Sequence, residues 1–192
     1  MKFYLASTSQ TRRDILTKVG LNFTAIASNV EEVTKADTNE DYLINLSKLK
    51  AHAVAENLSS GIVVGADSMI CFNGKRIGKP KSKEEAKKIL SELSGKTNYA
   101  LTGVTIIDLN KNKEVSFCET TEVLFDNLTE EEIQWYVNHE EHILDRAGYS
   151  LAGKTAIFIP QIKGDYYNVL GMPICRLYKE INKLGYKISD FE

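Results

Sequence analysis

Four segments of this chain carry side chains whose types and spacing suit work on a polyphosphate. The first is Leu5-Ala6-Ser7-Thr8-Ser9, leading into Arg12-Arg13 at a helix start. Hydroxyls, free backbone donors and paired guanidinium groups all favour phosphate oxygens. A capped surface helix with two solvated arginines is the plainer reading of the same residues. The second segment, Gly65-Ala66-Asp67-Ser68, delivers a carboxylate at the end of an apolar run. Burying that group without a partner is costly, so such a residue holds a metal, takes a proton or pairs with a cation. A structural salt bridge or turn cap is the alternative. The third is the acidic loop Glu31-Glu32, whose oxygens suit magnesium, a metal that commonly takes one or two carboxylates plus substrate phosphates. Taken singly, acidic loops are mostly just solvated. The fourth set is Lys50 with Gly78-Lys79-Pro80, and lysines by themselves are usually surface residues.

One further motif invites a different chemistry. Gly148-Tyr149-Ser150-Leu151-Ala152-Gly153-Lys154-Thr155 fits the phosphate-binding pattern G-x-x-x-x-G-K-[ST] residue for residue. A working loop of that kind lies between a buried strand and a helix, whose N-terminus helps hold the phosphates. Here the preceding His142–Ala147 stretch is polar and irregular, and Ala156–Ile159 reads as a strand stopped by Pro160. The context rejects the motif. His139 and His142 lack a metalloprotease spacing and His52 falls on a helix face, so none of the three is expected to bind metal.

The elements that must position these residues alternate between strand and helix. Residues 2–6 form a short buried strand, and a helix runs from about Arg12 to Val19, with Thr11 and Asp14 at capping-box spacing and Gly20 as its stop. A second strand runs near Thr24 to Ser28. A long helix covers about Glu40 to Leu58, with Tyr42, Leu46, Leu49 and Ala53 on one face. Ile62–Ala66 suits a central strand that ends at Asp67, and Asn73-Gly74 marks a two-residue hairpin between Met69–Phe72 and Lys75–Ile77. Ser82 with Glu85 caps a helix that turns Ala86, Ile89, Leu90 and Leu93 inward and stops at Gly95. Two long strands, roughly Tyr99–Leu109 and Glu114–Phe125, precede a short helix capped by Thr129 and Glu132. A strand near Ala156–Ile159 and a helix from about Pro173 to Leu184 complete an α/β layout with a mixed, partly antiparallel sheet.

At 192 residues, with 43% hydrophobic and 26% charged side chains, the chain has the size and composition of one soluble globular domain. Its formal net charge of −2 supplies no global pull toward nucleic acid or an anionic membrane, so phosphate binding must come from a local cluster of cations. The apolar start is too short for a signal peptide, and no run approaches a membrane span. Cys71, Cys118 and Cys175 are far apart and odd in number, which suits reduced core thiols in the cytoplasm.

In their order along the chain, the segments resemble the Maf family. Leu5-Ala6-Ser7-Thr8-Ser9 with Arg12-Arg13, Gly65-Ala66-Asp67-Ser68, Gly78-Lys79-Pro80, Leu93–Thr97, Thr102-Gly103-Val104, Asp145-Arg146-Ala147-Gly148 and Gly164–Pro173 look like successive Maf motifs. The resemblance spans residue 3 to about residue 180. It implies an elongated mixed sheet with a cleft between two lobes, as in inosine triphosphatase-like folds. It also implies a house-cleaning or salvage pyrophosphatase that cuts nucleoside triphosphates, standard or modified, with a divalent metal (magnesium or manganese). By the same resemblance Asp67 matches the proton acceptor, and Arg13, Glu32, Lys50 and Lys79 match positions lining the phosphate and metal site, with Glu32 and Asp67 on the metal and Ser7 and Arg12 on the substrate. Homodimers are common in the family, which makes a second copy a candidate partner.

Family subtypes differ at three positions near the base, matched here by Thr11, Ser68 and Ala152. Small residues at all three leave the base unread, because base selection needs placed hydrogen bonds. The loop carrying Ala152 also looks one residue shorter, and Glu140–Leu144 lacks the family's usual Gly-Glu-Pro. The competing readings are a non-catalytic nucleotide-binding regulator of cell division and a phosphohydrolase releasing orthophosphate.

Overall fold

Short apolar runs separated by capped amphipathic segments settle into an α/β arrangement. The computed structural model describes residues 1–144 and 149–191. In chain order the elements are β1 (Phe3–Ala6), α1 (Gln10–Lys18), β2 (Thr24–Ala25), α2 (Asn39–Ala55), β3 (Ile62–Phe72), β4 (Lys75–Ile77), α3 (Lys83–Leu93), β5 (Thr97–Asp108), β6 (Lys113–Leu124) and α4 (Glu130–His139). A 3-10 turn at Lys154–Phe158 leads to β7 (Gln161–Lys163), α5 (Tyr166–Val169) and α6 (Ile174–Lys183), and a second follows at Ile188–Phe191. The strands are ordered β2-β1-β3-β5-β6-β7, with β4 pairing β3 off that path. Pairing is parallel at β1–β2 and β1–β3 and antiparallel at β3–β4 and β6–β7, so the sheet is mixed. Among the described residues no helix is long and apolar enough to cross a membrane.

The chain divides into two compact units, one formed by Met1–Ser68, Thr102–Glu119 and Gly171–Glu192, the other by Met69–Leu101 and Thr120–Leu170. In the first unit, Tyr4, Ala6 and Val63 from the strands pack with Ala51, Val54 and Ala55 of α2. The α2 face turned inward is Leu43, Leu46, Ser47, Lys50, Ala51 and Val54, with helical spacing. The sequence pattern expected Leu46, Leu49 and Ala53 there. Leu49 is instead 40% exposed, because a buried lysine and serine take core positions that an apolar count passes over. Ser47 Oγ meets Thr105 Oγ1 at 2.7 Å, and Thr105 meets Ser116 Oγ at 2.9 Å, so these hydroxyls satisfy one another.

In the second unit, Ala86, Leu90 and Leu93 of α3 share a core with Ile133, Tyr136 and Val137 of α4 and with Phe125 and Tyr149. Ser82 and Thr129 cap α3 and α4 as expected, Thr129 and Glu132 forming a reciprocal capping box. Asn73 (φ 50°) and Gly74 (φ 74°) make the tight β3–β4 turn. Tyr149 donates to Asn98 Oδ1 at 2.7 Å, and Asn98 Nδ2 donates to the Val123 carbonyl at 3.0 Å. Burial pushes the Tyr149 phenol well above its ordinary value, against the smaller opposing effect of Asn98. Tyr149→Phe leaves the buried Asn98 oxygen without that donor, and we expect a loss of about 1–3 kcal/mol in urea unfolding at neutral pH. A folded-state pKa above the unfolded one gives stability that is full below the unfolded value and falls as pH rises past it. The gap between wild type and variant therefore shrinks above about pH 10.

Further expectations change. Helix α1 begins at Gln10 and not Arg12, because Ser9, one residue upstream, is the N-cap and accepts from the Arg12 N–H. Strand β3 does not stop at Asp67; the buried run ends at Ala66, but strand pairing continues to Phe72. Residues Ala156–Ile159 are not a strand, since Lys154–Phe158 is a 3-10 turn. Of the cysteines only Cys71 is buried; Cys118 is half-buried and Cys175 is exposed, which corrects the expectation of three core thiols.

Candidate active site

Parallel pairing of β1 with β3 sets Ala6 opposite Gly65, so the chain leaves β1 at Ser7 beside the part of β3 that carries Asp67. Ligands of open α/β sheets gather at the carboxyl ends of parallel strands. The loop Ser7-Thr8-Ser9 turns directly into α1, whose third residue is Arg12. Arg12 is buried, at 9% exposure, and its guanidinium makes three hydrogen bonds, all to neutral oxygens. Nε donates to the Gly171 carbonyl at 2.8 Å, Nη1 to Ser7 Oγ at 3.2 Å and Nη2 to Ser68 Oγ at 2.9 Å. Burial lowers the Arg12 pKa from its ordinary value, opposed by the charges of Asp67 and then Glu32. The arginine remains cationic, and it is desolvated with no carboxylate bonded to it among the described residues.

Successive side chains on β3 point to opposite faces, so Asp67 and Ser68 serve different helices. Ser68 meets Arg12 of α1, while Asp67 meets Lys50 on the inner face of α2. Lys50 also pairs with Glu32 Oε1 at 2.8 Å. Gly65 makes this approach possible. A Cβ there would stand 2.3 Å from the Ser47 carbonyl oxygen and 2.7 Å from the Ala51 nitrogen, both backbone atoms of α2. Gly65 lies two residues before Asp67, on the same face of the strand. The glycine therefore lets α2 settle close enough for Lys50 to reach the carboxylate.

A cavity of about 320 Å³ opens over these groups, lined by Ser7, Ser9, Arg12, Asn29, Glu32 and Lys50 among others. Its wall combines two cations, several hydroxyls and one largely exposed carboxylate. Glu32 and Asp67 converge on a single ammonium, a donor set of hard oxygens on one cation that matches the chemistry magnesium and manganese take.

The Maf-like protein family matches residues 2–184 of the chain. The chain belongs to the Maf family. Similar proteins include the dTTP/UTP pyrophosphatase of Bacillus anthracis, 46% identical over 190 residues and 98% of both chains. The dTTP/UTP pyrophosphatase of Lachnoclostridium phytofermentans is 42% identical over 94% of both chains, and that of Carboxydothermus hydrogenoformans is 40% identical over 97% of this chain and all of that one. Among solved structures, the Staphylococcus aureus Ham1 protein aligns with a TM-score of 0.47 at 17% identity, over 65% of this chain and 72% of the other.

Of the Maf positions singled out in the sequence, Ser7, Arg12, Glu32, Lys50, Asp67 and Ser68 come together in the first unit. Arg13 is half-buried on α1, and its Nε is buried with no hydrogen-bond partner among the described residues. Thr11 lies on the same helix, half-buried. Lys79, in the exposed loop before α3, and Ala152, in the turn before the Lys154–Phe158 helix, both belong to the second unit and are exposed. The Maf motif Asp145-Arg146-Ala147-Gly148 lies outside the described residues. Gly148 also opens the rejected phosphate-loop motif. In the rest of that motif, Thr155 is fully buried and donates to the Tyr136 hydroxyl at 2.7 Å. The motif runs into the five-residue 3-10 turn, not into a capped α-helix.

Sequence reasoning missed the Gly171 carbonyl, the Thr102 hydroxyl beside Ser68 and the Asn29 wall. Thr102 and Gly171 lay in segments already grouped with the Maf motifs but were given no role, and Asn29 carried a local signal of its own. Asparagine tolerates the left-handed backbone it adopts here, with φ 48°, just before the acidic loop.

Proposed function

We propose that this Maf protein is a divalent-metal-dependent nucleoside triphosphate pyrophosphatase acting on dTTP and UTP. Water attacks the α-phosphorus, its oxygen forming the new P–O bond. The bond from that phosphorus to the α–β bridging oxygen breaks, and pyrophosphate leaves with the electron pair. The observation that carries this reading is a buried guanidinium, bonded among the described residues to neutral oxygens, in the same cavity wall as the lysine that holds Asp67. Arg12, Arg13 and Lys50 suit the triphosphate oxygens, where charge builds during the reaction, and Lys79 matches a further Maf position of that kind. Asp67 suits removal of the proton from the attacking water. Glu32 and Asp67 would hold the metal, which supplies charge neutralisation at the phosphates. The names of the relatives, at 40–46% identity over nearly full length, support a thymine or uracil base. Thr11, Ser68 and Ala152 match the Maf positions that vary with the base. Cleaving modified pyrimidine nucleotides by the same route would keep them out of nucleic acids.

The test is a panel of dTTP, UTP, CTP, GTP and modified pyrimidine triphosphates with magnesium, with and without chelator, and with the products separated. We expect monophosphate and pyrophosphate in equal amounts, loss of turnover with chelator, and kcat/KM for dTTP and UTP about tenfold or more above the purine nucleotide. Diphosphate with orthophosphate would refute the pyrophosphatase assignment. Nucleotide binding without any product would favour a regulator.

A further inference from the structure

We propose that Ser68 is a positioning residue for Arg12, and that it acts on the triphosphate through that guanidinium and not by reading the base. The inference rests on the proposed pyrophosphatase reading for what Arg12 meets, but the contacts that carry it are independent of any nucleotide. A serine hydroxyl has one hydrogen to donate and two lone pairs to accept with. Ser68 Oγ already accepts from Arg12 Nη2 at 2.9 Å, lies 3.0 Å from Thr102 Oγ1 and stands 3.5 Å from the Gly171 carbonyl oxygen. That capacity is used within the first unit.

The other side of the clamp is backbone. Gly171, with φ 93°, turns its carbonyl to Arg12 Nε at 2.8 Å. A Cβ at Gly171 would sit 3.1 Å from Ser68 Oγ and 3.7 Å from Arg12 Nη2. A glycine is needed here for both the backbone angle and the space. Ser7 Oγ holds the third nitrogen at 3.2 Å. A guanidinium has five N–H donors in a rigid fork. Three are spent on neutral oxygens from β3, the β1–α1 loop and the segment entering α6. Among the described residues two remain, one on each terminal nitrogen, with the fork's orientation fixed and no acid bonded to it. That is the state in which an arginine binds phosphate with least reorganisation.

Base readers and positioning residues differ in what their loss changes. Losing a base contact alters the ratio between nucleotides. Losing the clamp weakens every triphosphate alike, including one with no base. The experiment therefore compares wild type, Ser68→Ala and Ser68→Thr, using KM and kcat for dTTP, UTP, CTP and GTP together with calorimetric binding of inorganic tripolyphosphate in magnesium. We expect Ser68→Ala to raise KM by about tenfold for all four nucleotides, with smaller change in kcat, and to weaken tripolyphosphate binding by a similar factor. Ser68→Thr keeps the hydroxyl and should restore most of both. A changed preference among nucleotides with unaltered tripolyphosphate binding would overturn the proposal, as would a Ser68→Ala protein that binds tripolyphosphate like wild type. If no nucleotide is cleaved by any of the three proteins, the pyrophosphatase reading fails, while the tripolyphosphate measurement still decides whether Ser68 positions Arg12.

Discussion

Asp67→Asn is expected to lower kcat by about 10²–10⁴-fold, the range that a positioned general base contributes, while the protein keeps its fold. Asparagine has nearly the shape of aspartate, so the β3 pairing that fixes this position is undisturbed. The amide cannot accept the proton of the attacking water. Lys50 loses one of its two acid partners but retains Glu32 at 2.8 Å, so its ammonium is not abandoned in the core. The Asp67 side chain is 18% exposed, so the pair is not fully desolvated, which limits the cost of removing the charge. The variant should therefore melt close to wild type and still bind dTTP in calorimetry, with turnover lost. Activity within about threefold of wild type would remove Asp67 from proton transfer. An unfolded variant would instead mark the Lys50–Asp67 pair as structural.

The parts of this fold legible in the residue string are those set by local chemistry. Asn73-Gly74, Ser82 and Thr129 each carry their turn or cap in one or two side chains, and each does locally what the spacing predicts. Asp67 stood out because a carboxylate closing an apolar run needs a partner, and Lys50 is that partner. Other features depended on contacts that no local pattern encodes. The inner face of α2 carries Ser47 and Lys50 among its apolar residues, and the expected face shared Leu46 with it but took the exposed Leu49 in place of Leu43 and Val54. Ala156-Ile157-Phe158-Ile159 has the composition of a strand, yet only Thr155 and Phe158, three residues apart, are buried nearby while Ile157 is 70% exposed. A spacing of three matches the tight helix that forms. The Arg12 clamp was the hardest to foresee. One of its acceptors is a main-chain carbonyl 159 positions away, and a carbonyl has no residue-type signature. Ser68 was visible in the segment that carries Asp67 and as a position where Maf proteins differ, and neither signal points to its contact with a guanidinium from α1.

Gly65→Ala should damage stability and catalysis together, although the substitution adds a single methyl group. The added carbon would press on the Ser47 oxygen at 2.3 Å and the Ala51 nitrogen at 2.7 Å. These atoms belong to the α2 main chain, so no rotamer change relieves the overlap, and the helix must move off the strand. Overpacking of this kind costs about 3 kcal/mol, on the order of 6–12 °C in melting temperature for a chain of this length. The displacement acts where Lys50 reaches Asp67, since Gly65 and Asp67 share a face of β3 and Lys50 adjoins Ala51. Protein that stays folded in the cold should then show a kcat/KM reduced by about tenfold or more, because a misplacement near 1 Å is enough for such losses. Gly78→Ala is the stability control, for nothing lies within 4 Å of the Cβ it would add. Differential scanning calorimetry of both variants, with dTTP turnover of Gly65→Ala at low temperature, separates the outcomes. A Gly65→Ala protein that melts with wild type would mean that α2 does not approach β3 as closely as Lys50 needs. A protein that melts early yet turns over normally would show that the lysine reaches its carboxylate from more than one helix position. In that case the glycine would serve packing alone.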